Sequence, residues 1–372
     1  MKTFHELYLE ITEQERKAGR NLETEYHPYH MDCLLEPESA PVPCKKDKLQ
    51  KLLQQGKEEL APYPDVQKLL NEMMEEERET YILVAPAFLG QFPEAVTAGE
   101  LRAAFKALGF QGMIEVAVFA DILTLKEALE FDKNITSQED YQLTSCCCPV
   151  WIALIRNVYK ELMPHVPATV SPMIAGGRVV KKLHPTARTV FVGPCMAKKK
   201  EAKEPDIADA IDCVLTFQEV KALFDAADVQ PEKFEEKDRE HSSRAGRIYA
   251  HTGGVSEAVK ETVKQLNPNR WIEVRAEQAD GVPGCRELIE KLKNGETRAN
   301  FFEGMACPGG CVGGPRAILP KEEGKEHVVR YGEEASYRTP LENPYVLELL
   351  SRLGFEKVED LLHRDTLFVR EF

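Results

Sequence analysis

From residue 80 onward, short runs of β-branched and aliphatic residues alternate with stretches whose apolar positions recur at helical spacing. The runs YILVAPAF, IEVAVF, TVFVGP, CVLTF, WIEVRA and NFFEGM predict strands. Between them, AGELRAAFKALG, TLKEALEF, PVWIALIRNVYKELM, FQEVKALFDAA, SEAVKETVKQL and CRELIEKLKN predict helices. This alternation predicts an α/β fold with mainly parallel strands. Two lobes with small sheets flanked by helices, and a site between them, fit the short runs better than one broad sheet.

Residues 1–78 have a different texture. They are charged, lack strand-like runs and hold the helical patterns KDKLQKLLQQGKEEL and DVQKLLNEMMEEE. The pattern predicts a helical N-terminal extension ahead of one larger unit over 79–372. Prolines and mixed polarity in EYHPYHMDCLLEPESAPVPCKK predict a loop. Its His27, His30, Cys33 and Cys44 are either a small metal site or an incidental cluster.

Composition narrows the function classes. The 372-residue chain has 43% hydrophobic and 30% charged residues and a net charge of -14, which argues against a general nucleic-acid binder. No apolar run is long enough to span a membrane, and the opening MKTFHELYLEITEQERKAGR is charged where a signal peptide needs an apolar core. A cytoplasmic location without membrane attachment is the expectation.

Ten cysteines in such a chain call for a reason other than disulfides, because cytosolic thiols stay reduced. Six of them sit in three loops at strand or helix ends: Cys146, Cys147 and Cys148 in TSCCCP, Cys195 after Gly-Pro, and Cys307 and Cys311 around Pro-Gly-Gly. In open α/β sheets, ligands collect at strand carboxyl ends, so the three loops can converge. Thiolates suit a cubane iron-sulfur cluster or tetrahedral zinc, and buried inert cysteines remain a third reading. The Cys-x3-Cys spacing is unlike the usual zinc knuckle, and the neighbouring glycines let backbone approach a bulky inorganic group.

Taken together, Thr144-Ser145-Cys146-Cys147-Cys148-Pro149-Val150-Trp151, Gly193-Pro194-Cys195-Met196-Ala197-Lys198-Lys199-Lys200-Glu201 and Glu303-Gly304-Met305-Ala306-Cys307-Pro308-Gly309-Gly310-Cys311-Val312-Gly313-Gly314 resemble the three signatures of iron-only (di-iron) hydrogenases. The order and separation also fit, and Ala85-Pro86-Ala87 is similar to the Ala-Pro stretch that lines the family's active site. The resemblance runs from about residue 80 to the C-terminus.

It implies an enzyme that interconverts H2 with protons and electrons on a 4Fe-4S cluster joined to a di-iron subcluster carrying CO, cyanide and a bridging dithiolate amine. By motif, the cubane ligands would be Cys148, Cys195, Cys307 and Cys311, the last bridging to the di-iron unit. Cys148, next to Pro149 at a predicted helix N-terminus, is placed where the dipole favours thiolate. Lys198 would hold a cyanide ligand, with a solvated charge run as the plainer reading. Ala85, Pro86, Pro194 and Met305 would line the cofactor. Cys147 would shuttle protons, and Glu127 and Glu130, on one helical face, would relay them.

The departures matter as much. The relay's serine position falls on Pro167, which has neither hydroxyl nor N–H. Gly193 replaces a frequent methionine, and Met173 and Met196 replace polar residues. These changes predict slow proton transfer and altered electronics of the di-iron unit. No Cys-x2-Cys-x2-Cys run for accessory ferredoxin-like clusters is present, so electrons would come from a ferredoxin-like or other carrier protein, and dedicated maturation proteins would load the cofactor. The spare thiol of Cys146 either packs or protects an oxidised site.

Two other readings compete. A low-turnover H2 sensor or regulatory subunit would use the same cofactor. An iron-sulfur assembly protein would keep the cubane alone, against which stand the TSCCCPVW loop and an ending, FVREF, without that group's terminal Trp.

Overall fold

The computed structural model describes residues 2–19, 46–56, 58–76, 78–144, 147–236, 240–363 and 367–372. His27, His30, Cys33, Cys44 and Cys146 lie outside the described residues.

Helix α1 (Phe4–Lys17) opens on a capping box in which Thr3 and Glu6 satisfy each other's backbone N–H groups. It packs on the far end of the chain, where Phe4 N–H donates to Glu356 O at 3.0 Å. Helices α2 (Lys46–Gln55) and α3 (Pro64–Glu75) follow. The α3 residues Val66, Leu69, Leu70 and Met73 are buried in the same apolar core as the first sheet. Each contributes about 1.5–3 kcal/mol by burial. Ion pairs from Arg188 to Glu76 (2.8 Å) and from Lys199 to Asp65 (2.5 Å) tie α3 to strands and loops beyond residue 180.

The rest alternates as the pattern predicts: β1 (Thr80–Val84), α4 (Ala98–Ala107), β2 (Gly112–Glu115), α5 (Ala117–Asn134), β3 (Gln142–Leu143), α6 (Pro149–Val158), α7 (Pro172–Leu183), β4 (Arg188–Gly193), α8 (Ala197–Glu201), β5 (Cys213–Thr216), α9 (Phe217–Ala226), α10 (Arg244–Arg247), α11 (Gly254–Leu266), β6 (Ala276–Asp280), α12 (Gly281–Lys293), β7 (Phe301–Met305), α13 (Lys321–Glu333) and α14 (Pro344–Arg352). Two parallel sheets form, ordered β2-β1-β4-β5 and β3-β7-β6. Each has its own packing. A large core surrounds the first, while Leu143, Trp151, Ile155, Leu288, Ile289 and Phe302 form a second cluster about the other. Strands β1, β2, β4 and β7 are almost wholly buried, which is why they read as continuous apolar runs.

Helices α7, α13 and α14 have no counterpart in the expectation, α6 ends at Val158 short of the predicted stretch, and two of the predicted strands differ from it. WIEVRA is not a strand: Ile272 and Val274 alternate into the core, but the segment is held by Asn300, whose Nδ2 donates to Glu273 O and whose Oδ1 accepts from Arg275 N–H. Pairing with β7 begins only at Ala276, and the resulting edge strand AEQAD is polar and partly exposed, so it carries no apolar signature. IEVAVF splits after Glu115, and α5 begins at Ala117, because β2 lies against β1 only as far as Val84.

Asp121, fully buried on α5, accepts from Ser243 N–H and Oγ–H, Gly246 N–H and Asn343 Nδ2, and so pins α10 and the start of α14. Burial pushes its carboxyl up to about 6 despite these bonds. A carboxyl raised in the folded state stabilises fully below its unfolded value of 3.8, and that contribution is lost as pH rises through about 6. The loss amounts to about 3 kcal/mol. The urea-midpoint gap between wild type and Asp121→Asn is therefore expected to narrow between these two pH values; a constant gap would show that Asp121 does not titrate there.

Candidate functional site

Strand carboxyl ends deliver the cysteine loops to one place. After β1 come Ala85 and Pro86, after β4 Pro194 and Cys195, after β7 Cys307, and after β3 the loop reaching Cys147 and Cys148. Ala85, Pro86, Cys147, Pro194, Cys195, Lys198 and Cys311 line a common cavity of about 50 Å³. Cys148 caps the N-terminus of α6, with Pro149 at its first position, and its Sγ accepts from Ala306 N–H at 3.5 Å. Cys307 stands within electrostatic reach of Cys195.

Local structure explains the convergence. Trp151 donates its indole N–H to Thr144 O at 3.1 Å, and its ring lies where a Cβ at Gly304 would be, 2.2 Å from the nearest ring carbon. Only glycine at 304 lets the first and third loops meet this closely. Gly310, at φ 93°, forms a bridge with His251, and a Cβ there would come 2.7 Å from Thr252 N. Met305 is buried with its sulfur against Gly310, rather than on the cavity wall. Glu303, which no sequence pattern singled out for this role, accepts from Gly253 N–H, Ser256 N–H and Ser256 Oγ–H, and so caps α11 beside the third loop. Burial nevertheless raises its carboxyl.

The electrostatics are those of thiols kept from water. Burial pushes Cys148 up to about 12, with Cys147 adding to the rise and the Ala306 and Trp151 N–H groups opposing it. The helix N-terminus expected to favour thiolate is thus outweighed by desolvation. Cys311 is raised as well, first by burial and then by Cys147, Cys195 and Cys148. Such thiols ionise on binding a metal, which deprotonates its thiol ligands outright. Among the described residues, no group of three His, Cys, Asp or Glu side chains is placed to hold a single metal ion.

Lys198 is the cation of the cavity. Burial works to lower it, but Glu201 at 2.7 Å, with Cys195 and Cys311 behind it, makes the net shift upward. Glu201 is its buried ion-pair partner, and the same ammonium stands on the wall of the cavity. A buried ammonium on a cavity wall fits an anionic guest.

Other sequence candidates fall as follows. Glu127 is fully buried and Glu130 is 13% exposed, both on α5, whose Ala120 lines the cavity. Met173 is on the wall, whereas Met196 is 42% exposed. The space next to Gly193 is taken by Phe191, whose ring would lie 2.8 Å from a Cβ at 193. Val116, Pro172, Phe191, Tyr249 and Ala250 complete the wall and were not legible in the sequence as site residues. Their only signal is apolarity, near a strand end for Val116 and Phe191 and between helices for Tyr249 and Ala250.

A thiol-lined cavity at the strand ends of two parallel sheets, with a buried lysine on its wall, defines an α/β protein whose loops meet at one cysteine-rich site. The chain belongs to the iron-only hydrogenase large subunit, C-terminal domain family, whose model matches residues 78–315. It is 29% identical over 269 residues to the periplasmic Fe hydrogenase large subunit of Nitratidesulfovibrio vulgaris, covering 61% of this chain and 64% of that one. It is also 28% identical over 326 residues to the cytosolic iron-sulfur assembly component 3 of Bos taurus, covering 72% and 68%. Its fold is similar to that of a variant of FeFe-hydrogenase HydA1 from Chlamydomonas reinhardtii, with a TM-score of 0.67 at 21% identity over 83% of this chain and 98% of that one. Among the described residues, no helix is long and apolar enough to cross a membrane.

Proposed function

We propose that the protein is a hydrogenase, interconverting H2 with two protons and two electrons. The observation that carries this reading is the cavity where Cys147, Cys195, Cys311 and the buried Lys198 meet. Cys148, Cys195, Cys307 and Cys311 would hold a 4Fe-4S cluster, with Cys311 also joining it to a di-iron unit bearing CO, cyanide and a dithiolate amine. When bound, that group supplies the redox chemistry and the open metal position.

The chain's own residues do the rest. Lys198 places a positive charge against an anionic ligand in a dry cavity, where the interaction is strong. Cys147, 9% exposed and on the same wall, moves a proton on its Sγ, and Glu127 and Glu130 carry it along α5. Phe191, Met173 and Pro172 exclude water. Electrons enter from a carrier protein at the cysteine edge, where Cys195 and Cys307 are partly exposed.

Two observations favour other readings. A match to an assembly component at an identity like that of the hydrogenases supports a cubane-only protein, and Pro167 with the apolar wall supports a low-turnover sensor. Infrared spectroscopy of anaerobically matured protein separates them. CO and cyanide bands that respond to H2 are expected; their absence after maturation would leave the assembly reading, and bands without turnover would leave the sensor.

A further inference from the structure

Helix α3 precedes residue 78, where the match to the hydrogenase family begins, and none of the steps above uses it. It is nevertheless tied to the second cysteine loop. Asp65, in its first turn, accepts from Lys199 Nζ at 2.5 Å, and Glu219 Oε1 accepts from the same ammonium at 2.7 Å. Glu219 is itself fixed, because its Oε2 accepts from Thr216 N–H at 2.6 Å and its own N–H donates to Thr216 Oγ1 in the capping box of α9. Burial works to lower the Lys199 ammonium, but Asp65 and Glu219 make the net shift upward.

The other end of α3 is held as well. Arg188, at the start of β4 and almost wholly buried, donates to Glu76 Oε2 at 2.8 Å and pairs with Glu72 at 3.6 Å. Because Glu72 and Glu76 stand at the end of the helix and Asp65 at its beginning, α3 runs antiparallel to β4, from Lys199 beyond the strand back to Arg188 at its start. The lengths agree. Twelve helical residues rise about 18 Å, and six extended ones span about 20 Å. Val66, Leu69, Leu70 and Met73 seat the helix in the first core, so its charged ends keep a set separation along the strand that delivers Cys195.

Lys198 and Lys199 leave the same turn of α8 about 100° apart, one lining the cavity and the other meeting α3. With only five residues, α8 is little more than a single turn, so rotation about its axis swings both side chains together. Glu201, the partner of Lys198, is on the same helix and turns with it, and so does not supply an outside anchor. Asp65 and Glu219 do. We propose that these two carboxylates, acting through Lys199, are positioning residues that set the direction in which Lys198 meets the cofactor's anionic ligand, which makes α3 part of the cofactor site. The inference rests on reading Lys198 as the cation that meets that ligand.

The test has two arms. In full-length protein made without maturation enzymes, hydrogen-deuterium exchange reads the amides of Ala202 and Lys203, whose bonds to Lys198 O and Lys200 O close α8. Exchange there is expected to quicken about fivefold in Asp65→Asn, the factor that one partly exposed ion pair sets, and further in Lys199→Met. Lys199→Arg keeps both carboxylates paired and is expected to restore the wild-type rate. Unchanged exchange in Asp65→Asn and Lys199→Met would overturn the proposal. In matured protein the same two variants are expected to keep their iron and to shift the cyanide infrared bands, again with rescue by Lys199→Arg. Bands that stay in place would overturn it too. Glu76→Gln is the control for stability alone, because Arg188 keeps Glu72. It should lower the unfolding temperature without moving the bands, and an equal band shift in that variant would count against a positioning role. If Lys198→Met leaves the cyanide bands in place, the reading of Lys198 itself fails. If it moves them while Asp65→Asn and Lys199→Met do not, only the present inference does.

Discussion

Replacing Cys195 and Cys307 together with Ser is expected to take iron in protein made without maturation enzymes from about four atoms per chain to near none. Each variant exchanges a soft thiolate for a hard hydroxyl with little tendency to ionise, and a cubane left with two cysteines is not retained. The fold should survive. Both residues are partly exposed loop positions, and neither belongs to the fully buried core. Iron and acid-labile sulfide measured beside the far-UV circular dichroism spectrum decide the matter. Iron retained by the double variant would overturn the ligand assignment, and about eight irons in wild type would require a second cluster.

The next largest effect is expected at Cys147. Its thiol is on the cavity wall with Cys311, yet it is not one of the four proposed ligands. Cys147→Ala should therefore keep iron content and the CO and cyanide bands, while H2 turnover falls by about two to four orders of magnitude, the range that a positioned proton carrier supplies. A methyl group occupies similar space and carries no proton, so a packing role alone would leave turnover near normal. Turnover and infrared spectra from the same preparation distinguish the two. Loss of the bands themselves would instead mean that Cys147 helps to hold the group.

Much of the fold was legible because the sheet strands β1, β2, β4 and β7 are buried on both faces and announce themselves as apolar runs. The helices between them show their amphipathic period. WIEVRA misled for the same reason in reverse: an alternating segment anchored by Asn300 has the period of a strand without a strand beside it. The edge strand β6 was hidden because a polar strand gains its place from hydrogen bonds to β7, which leave no mark on side-chain hydrophobicity.

The sequence by itself determined that three cysteine loops stand at strand ends and that Lys198 and Cys147 accompany them, since these are local matters of residue type, spacing and the proline that starts α6. Tertiary structure alone decided the rest. It closed Trp151 onto Gly304, desolvated Cys148 beyond what its helix dipole offsets, and laid residues 368–370 over Thr169. It also brought a lysine that reads as an ordinary helix charge into a buried contact with Thr169 and Glu130. Each of these depends on segments up to some two hundred residues apart meeting at atomic distance, and packing and desolvation are properties of the meeting rather than of either segment.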